Sequence, residues 1–227
     1  KSKSFKFKTI GNYFNNFYSK CLNFELTNAQ KRVVKEIRKD VLTGFQMNRL
    51  IQGDVGCGKT VVALMSLMMC IDNNFQGCLM APTEVLAFQH YNTIIETCKP
   101  LGLNIALLTG STKSLNRKQI VSDLERGATH IIIGTHALIQ DNVKFQNLGL
   151  VIIDEQHKFG VAQRAKLSTK SMISPHVLVL TATPIPRTLA MTFYGDLDVS
   201  IIDELPPGRK GIKTVHKYDK DKEGIMS

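Results

Sequence analysis

The sequence predicts an α/β fold: a mainly parallel sheet of about seven strands with helices on both faces. Three observations predict it. Short apolar runs alternate with helix-length segments along most of the chain, the pattern of strands joined by crossovers. Gly53-Asp54-Val55-Gly56-Cys57-Gly58-Lys59-Thr60 fits the phosphate-loop pattern G-x-x-x-x-G-K-[ST] at every required position, between a strand candidate and a helix candidate. The other polar motifs fall just after strand candidates, where ligands bind in sheets of this kind.

In chain order, residues 1–22 mix lysine with Phe5, Phe7, Tyr13, Phe14, Phe17 and Tyr18. That is too aromatic for a plain disordered tail, and residues 1–23 read as a connector expected to pack on a preceding domain. Leu26-Thr27-Asn28-Ala29-Gln30 opens a helix. Thr27 is a good N-cap, Gln30 three residues on completes a capping box, and Ala29, Val33, Val34, Ile37 and Val41 form the apolar stripe. Arg49–Gln52 reads as the strand entering the phosphate loop, and about 60–73 as the buried helix leaving it. Further strands are expected at Cys78–Ala81, Asn104–Leu108, His130–Ile133, Leu150–Ile153, Val177–Leu180 and Val199–Ile202. Leu205-Pro206-Pro207-Gly208-Arg209-Lys210 breaks regular structure. Residues 24–204 are thus the main domain and 205–227 a linker.

With 43% apolar residues, 227 residues suffice for one sizeable core. The net charge of +10 sits mostly at the ends: residues 1–20 carry five lysines and no acid, and 209–223 six bases against three acids. A basic surplus suits a polyanion such as nucleic acid; solvated basic linkers account for it equally well. The five cysteines are odd in number and include no C-x-x-C pair, so neither a disulfide framework nor a zinc site is expected. They read as free thiols of a reducing cytoplasm, and Cys57 would expose the loop to thiol reagents. No charge-free apolar run of membrane-spanning length occurs, and the first twenty residues hold no signal-peptide core. The chain opens at Lys1, which suggests a piece of a longer protein.

The loop's chemistry follows from its spacing. Its glycines let the backbone curl so that N–H groups face a phosphate chain, and the helix N-terminus adds partial positive charge. Lys59 is placed for the β- and γ-phosphates and the Thr60 hydroxyl for Mg²⁺. Leu150-Val151-Ile152-Ile153-Asp154-Glu155 supplies the second half: a strand tip whose Asp154 would hold Mg²⁺ and whose Glu155 would orient or deprotonate water.

Asp154-Glu155-Gln156-His157 resembles motif II of superfamily-two helicases of the DExH type. The other motifs follow in that family's order. Leu26-Thr27-x-x-Gln30 resembles its adenine-reading element, Ala81-Pro82-Thr83-Glu84-Val85-Leu86-Ala87 its motif Ia, Gly134-Thr135-His136-Ala137-Leu138 its motif Ib and Thr181-Ala182-Thr183 its motif III. Longer strings are similar to the RecG family of bacterial branch-migrating DNA helicases: Asp154 to Val161, Thr181 to Ala190, Gly195 to Ser200 and Ile202 to Arg209. The transcription-repair coupling translocases share much of the first two. The resemblance covers about residues 24–215.

It implies a RecA-like P-loop NTPase lobe using ATP and Mg²⁺. Gln30 and Phe24 would contact adenine; Gly53 to Thr60 would hold phosphates; Thr60 and Asp154 would hold the metal; Glu155 would activate water. Gln156 and His157 would relay to Thr181, Ala182 and Thr183, which couple nucleotide state to strand binding. Pro82, Thr83, Gly134, Thr135 and His136 would contact DNA. Structural alternatives stay open for two of these: Gln30 as a cap, and His136 as a packed loop residue. The implied partners are branched, single-stranded or double-stranded DNA, and a wedge domain and a second helicase lobe. The molecule would be a monomer in the bacterial cytoplasm, associated with the nucleoid and not with membrane. The chain runs about 18 residues past Arg209, so it is expected to bind ATP yet hydrolyse it poorly without the second lobe's arginines. A truncated remnant that only binds nucleotide or DNA is the further alternative. A small-molecule kinase would not explain motif III after motif II.

Overall fold

The computed structural model describes residues 2–154, 173–183 and 197–205. Seven strands form one sheet: β1 Asn48–Gly53, β2 Gln76–Met80, β3 Ile105–Leu108, β4 Ile131–Gly134, β5 Leu148–Asp154, β6 His176–Thr181 and β7 Asp198–Ile202. Their spatial order is β3-β4-β2-β5-β6-β1-β7 and every neighbouring pair is parallel. Each expected strand is present within one or two residues. β3 and β4 start one residue late because their entry residues bond to each other: the Asn104 N–H donates to His130 Nδ1 (2.9 Å) and the His130 N–H to the Asn104 carbonyl (2.9 Å).

Strand residues alternate between two cores, as a pleated sheet buried on both faces requires. Ile51, Leu79, Ile133, Ile152 and Leu180 join one core with helices α2 (Asn28–Val41), α3 (Lys59–Asp72) and α4 (Glu84–Cys98). Leu50, Met80, Ile132, Val151 and Val179 join the other, under α5 (Ser114–Glu125) and the 3₁₀ turn His136–Ile139. Helix α3 is buried around most of its circumference, Val62 through Ile71. That explains its lack of a polar face.

Helix α2 starts as its sequence dictates. Thr27 accepts the Gln30 N–H (3.2 Å) while Gln30 Oε1 accepts the Thr27 N–H (2.9 Å), a complete capping box. Its carboxylates turn inward: Glu36 (3.2 Å) and Asp40 (2.7 Å) pair with Arg49 of β1, which also donates to Ser200 of β7 (2.7 Å). Arg49 is 8% exposed, and this shared fork satisfies its guanidinium.

The N-terminal segment packs on this lobe itself. Phe7 and Phe17 find apolar partners here and are buried, while Tyr18 is exposed. Short helix α1 (Asn12–Asn16) follows, continued by a π turn at Phe17–Cys21. The Asp72 carboxylate, at the last residue of α3, accepts the N–H groups of Gly11 (2.8 Å), Tyr13 (2.9 Å) and Phe14 (3.0 Å). On the same edge of the sheet, where β6 begins, His176 locks the strap. Its Nδ1 accepts the Met47 N–H (3.0 Å), so Nε2 carries the proton and donates to the Phe5 carbonyl (2.9 Å). All five cysteines are free, four of them buried. Among the described residues no helix is long and apolar enough to cross a membrane.

Asp72→Ala leaves three strap N–H groups without their acceptor. It should lower stability by about 1–3 kcal/mol, read as a lower urea midpoint. Burial pushes the His176 pKa down to about 4, against about 6.5 unfolded. A depressed histidine favours the fold when neutral, so its contribution is full above about pH 6.5 and is lost as pH falls toward about 4. The stability gap between the wild type and the non-titrating His176→Asn variant should therefore narrow as pH is lowered through that window.

Candidate active site

The sheet register assembles the site. Asp154 of β5 is level with Leu180 of β6 and Leu180 with Ile51 of β1, and Thr181 is level with Gln52. At about 4.8 Å per strand, the tips of β5 and β1 stand about 10 Å apart across β6. The phosphate loop, the Thr181 motif and Asp154 thus share one rim. On the other side, Met80 of β2 is level with both Ile153 of β5 and Gly134 of β4. This places Pro82–Thr83 and Thr135–His136 on the same rim, beyond Asp154. Glu155, Gln156 and His157 lie outside the described residues.

The loop is curled by two left-handed glycines, Gly56 (φ 82°) and Gly58 (φ 89°). A Cβ on Gly53 would meet Cys57 Sγ and the Ile202 carbonyl at 2.6 Å, and one on Gly58 would meet Gln30 Nε2 at 2.1 Å. No side chain caps α3 at Gly58, so its N-terminus faces the loop's mouth with its own partial charge. Lys59 Nζ lies over that mouth and donates to the carbonyls of Gly53 (2.6 Å) and Asp54 (3.0 Å). Thr60 follows at the start of the helix, partly exposed, and Asp54 and Val55 are exposed. Curl, lysine, hydroxyl and a carboxylate two strands away fit a magnesium nucleotide, in which phosphate oxygens and a hard cation need these donors and acceptors.

Gln30 is fully buried, with both ends of its amide engaged: Oε1 in the capping box and Nε2 donating to the Cys57 carbonyl (2.8 Å). It fastens α2 to the phosphate loop, beyond the capping role legible in the sequence. Phe24 is exposed, at 43%. Cys57 is buried beneath the loop, and burial pushes its thiol up from the ordinary cysteine value. That works against attack by thiol reagents, which need the thiolate.

At the motif that resembles Ia, Thr83 is exposed and caps α4, its hydroxyl accepting the Leu86 N–H (3.2 Å). Glu84 accepts from the Ser111 hydroxyl (2.7 Å) and N–H (3.0 Å), and these bonds hold its carboxyl below the ordinary range. Gly134 ends β4 and is buried, as is Thr135. The Thr135 hydroxyl points into the fold, where no hydrogen-bond partner meets it among the described residues. The exposed member of this motif is His136. Thr181 is buried and bonds through its hydroxyl to that of Thr183 (2.9 Å); Ala182 and Thr183 turn outward.

One residue of the site escaped the sequence reading. His90, two turns into α4, places Nε2 2.6 Å from Asp154 Oδ2, with both side chains about one-seventh exposed. The signal was available: His90 follows the motif resembling Ia at helical spacing from Thr83.

The DEAD/DEAH box helicase family model matches residues 27–192. ATP-dependent DNA helicase RecG of Aquifex aeolicus is 52% identical over 205 residues, 90% of this chain and 26% of that protein. RecG of Synechocystis is 56% identical over 197 residues, 87% of this chain and 24% of that protein. The chain thus spans about a quarter of the length of these relatives. Among solved structures, RecG bound to a three-way DNA junction superposes with a TM-score of 0.81 at 45% identity, covering 92% of this chain and 28% of that one. Helicase MrfA shares the fold at a TM-score of 0.66 and 20% identity, over 90% of this chain and 31% of that one. With its phosphate loop and Asp154 on one rim and the family's pattern across most of its length, the chain belongs to the DEAD/DEAH box helicase family.

Proposed function

We propose that the chain is the ATP-binding motor lobe of a DNA helicase or translocase that remodels branched DNA, such as replication forks and recombination junctions, by ATP hydrolysis. The observation that carries this reading is the shared rim of the phosphate loop, Thr181–Thr183 and Asp154, with the Thr83 and His136 motifs beside it. Nucleotide and strand sites then lie on neighbouring strand ends, close enough for one to bias the other. The similarity to RecG, solved on a three-way junction, supports a branched substrate.

In this reading Lys59 exchanges its two loop carbonyls for phosphate oxygens, and the loop N–H groups and the start of α3 hold the rest of the phosphate chain. Thr60 and Asp154 hold Mg²⁺, which neutralises charge on the phosphates when bound. Glu155 takes a proton from the attacking water, while Gln156 and His157 carry the nucleotide's state to Thr181, Ala182 and Thr183. Phe24 offers an exposed face to adenine; Gln30 reads the base only by releasing Cys57. Thr83 and His136 are the exposed side chains for DNA phosphates, with Pro82, Gly134 and Thr135 shaping the strand ends that present them. The lobe acts in the bacterial cytoplasm, at the nucleoid, within a monomeric protein whose wedge domain grips the junction and whose second lobe closes over ATP. A lobe without those arginines binds nucleotide and turns it over slowly.

Lys59→Ala should reduce nucleotide affinity by about 10–100-fold, the worth of charge-assisted bonds, in a fluorescent-nucleotide titration on a folded variant. Unchanged affinity refutes the loop reading. ATP turnover by the 227-residue chain should lie at least ~10³-fold below that of a two-lobe helicase, with or without branched DNA, because an arginine finger contributes on that scale. Comparable turnover would sink the slow-lobe reading.

A further inference from the structure

We propose that His90 is a positioning residue for the metal ligand Asp154; the inference rests on the reading of the site given above. Asp154 ends β5, and its backbone is held by the ladder to β6 at Leu180, one residue beyond the last pair with β2, Ile153 with Met80. A ladder bonds main-chain groups, so it does not set the rotamer of this side chain. His90 sets it. A carboxylate offers only acceptors, so the 2.6 Å contact is a bond from His90 Nε2–H to Asp154 Oδ2. That ties Oδ2 to α4 and leaves Oδ1 to serve a cation or its water. Carboxylates that hold metals are themselves held by hydrogen bonds, and the holding group governs metal affinity.

The helix carrying His90 is suited to the task. Residue Glu84, at its first turn, is bonded twice to Ser111, and Ala87, Ile94 and Cys98 are buried in the core. The imidazole therefore projects from a frame anchored on both sides of it. A freely solvated histidine would lose the bond to water; this one is only 15% exposed and its partner 14%. The same helix begins at Thr83, so the metal ligand and a strand-contact motif are borne on one rigid element. The role is distinct from those of Lys59 and Thr60, which touch the nucleotide and its cation directly.

The test uses the 227-residue chain with a non-hydrolysable ATP analogue and Mn²⁺ as a paramagnetic stand-in for Mg²⁺. Mn²⁺ affinity of the nucleotide complex is read by electron paramagnetic resonance, and nucleotide affinity is read separately in chelator. His90→Ala should weaken Mn²⁺ retention on the order of 10–100-fold and leave metal-free nucleotide affinity unchanged. His90→Gln, whose amide can donate to the same oxygen, should recover most of the loss. His90→Asn, polar but too short to reach Asp154, serves in place of alanine if that variant fails to fold. Wild-type Mn²⁺ affinity in the folded alanine or asparagine variant, while Asp154→Asn loses it, overturns the role of His90 and leaves the site reading standing. Retention unaffected in Asp154→Asn as well overturns the metal reading and this inference with it. Equal loss of nucleotide and metal affinity in His90→Ala, without rescue by glutamine, marks a general packing role and also overturns it.

Discussion

The constraint on which this lobe depends is the all-parallel ladder. Parallel strands cannot be joined by tight turns, so each needs a crossover, and every crossover leaves from the same rim. In this chain that geometry turns sequence separation into spatial adjacency. Gly53 and Asp154 are about a hundred residues apart in sequence, yet one intervening strand separates them. A parallel sheet is also buried on both faces, which explains why its strands are near-continuous apolar runs and why the polar residues collect at their ends. Chemistry at the rim and apolarity below it are two consequences of one topology.

The chain order around the sheet adds a second consequence. From β1 the chain skips past β6 and β5 to reach β2, and it later returns to fill the gap. Such reversals open crevices at the strand ends, where helices leave toward opposite sides. The phosphate loop and the β5 tip flank this gap, so the nucleotide reading rests on topology as well as on motif. The packing of α3 supports it from below. The helix is buried from Val62 to Ile71, and its far end is tied through Asp72 to the N-terminal strap. A helix fixed at both ends would not drift if, as proposed, phosphate charge is brought to its N-terminus.

Much of this was legible in the sequence because it depends on local periodicity. The seven strands, the helix at Asn28–Val41 with its Thr27–Gln30 box, and the loop-bearing helix were all readable from apolar spacing and cap chemistry. The rest required knowledge of which side chains meet across long separations. Gln30 reaching Cys57, Arg49 gathering Glu36, Asp40 and Ser200, and His176 receiving Met47 and offering its proton to Phe5 are contacts between elements. No periodicity encodes them. The N-terminal aromatics illustrate the same limit. Composition said that they pack, but only the fold says on what. Thr135 is a subtler case: its neighbour His136 is on the surface, whereas its own side chain follows the strand direction into the core.

Gln30 and His90 bear on the same problem from opposite sides of the rim. A nucleotide site assembled from strand tips has a rigid base and flexible side chains, so its accuracy depends on bonds that come from elsewhere. Helix α2 provides one such bond to the loop at Cys57, and α4 provides one to Asp154. Each helix also carries an exposed group away from that bond: Arg32 of α2 bonds the Ile201 carbonyl (2.8 Å) and Asp203, where the chain leaves β7, and Thr83 caps α4. Under the proposed function, a displacement of either helix would bear on its bond to the loop or to Asp154. Coupling in this lobe, under that same proposed function, needs no dedicated pathway. It follows from using packed helices, instead of the sheet alone, to aim the loop and the carboxylate.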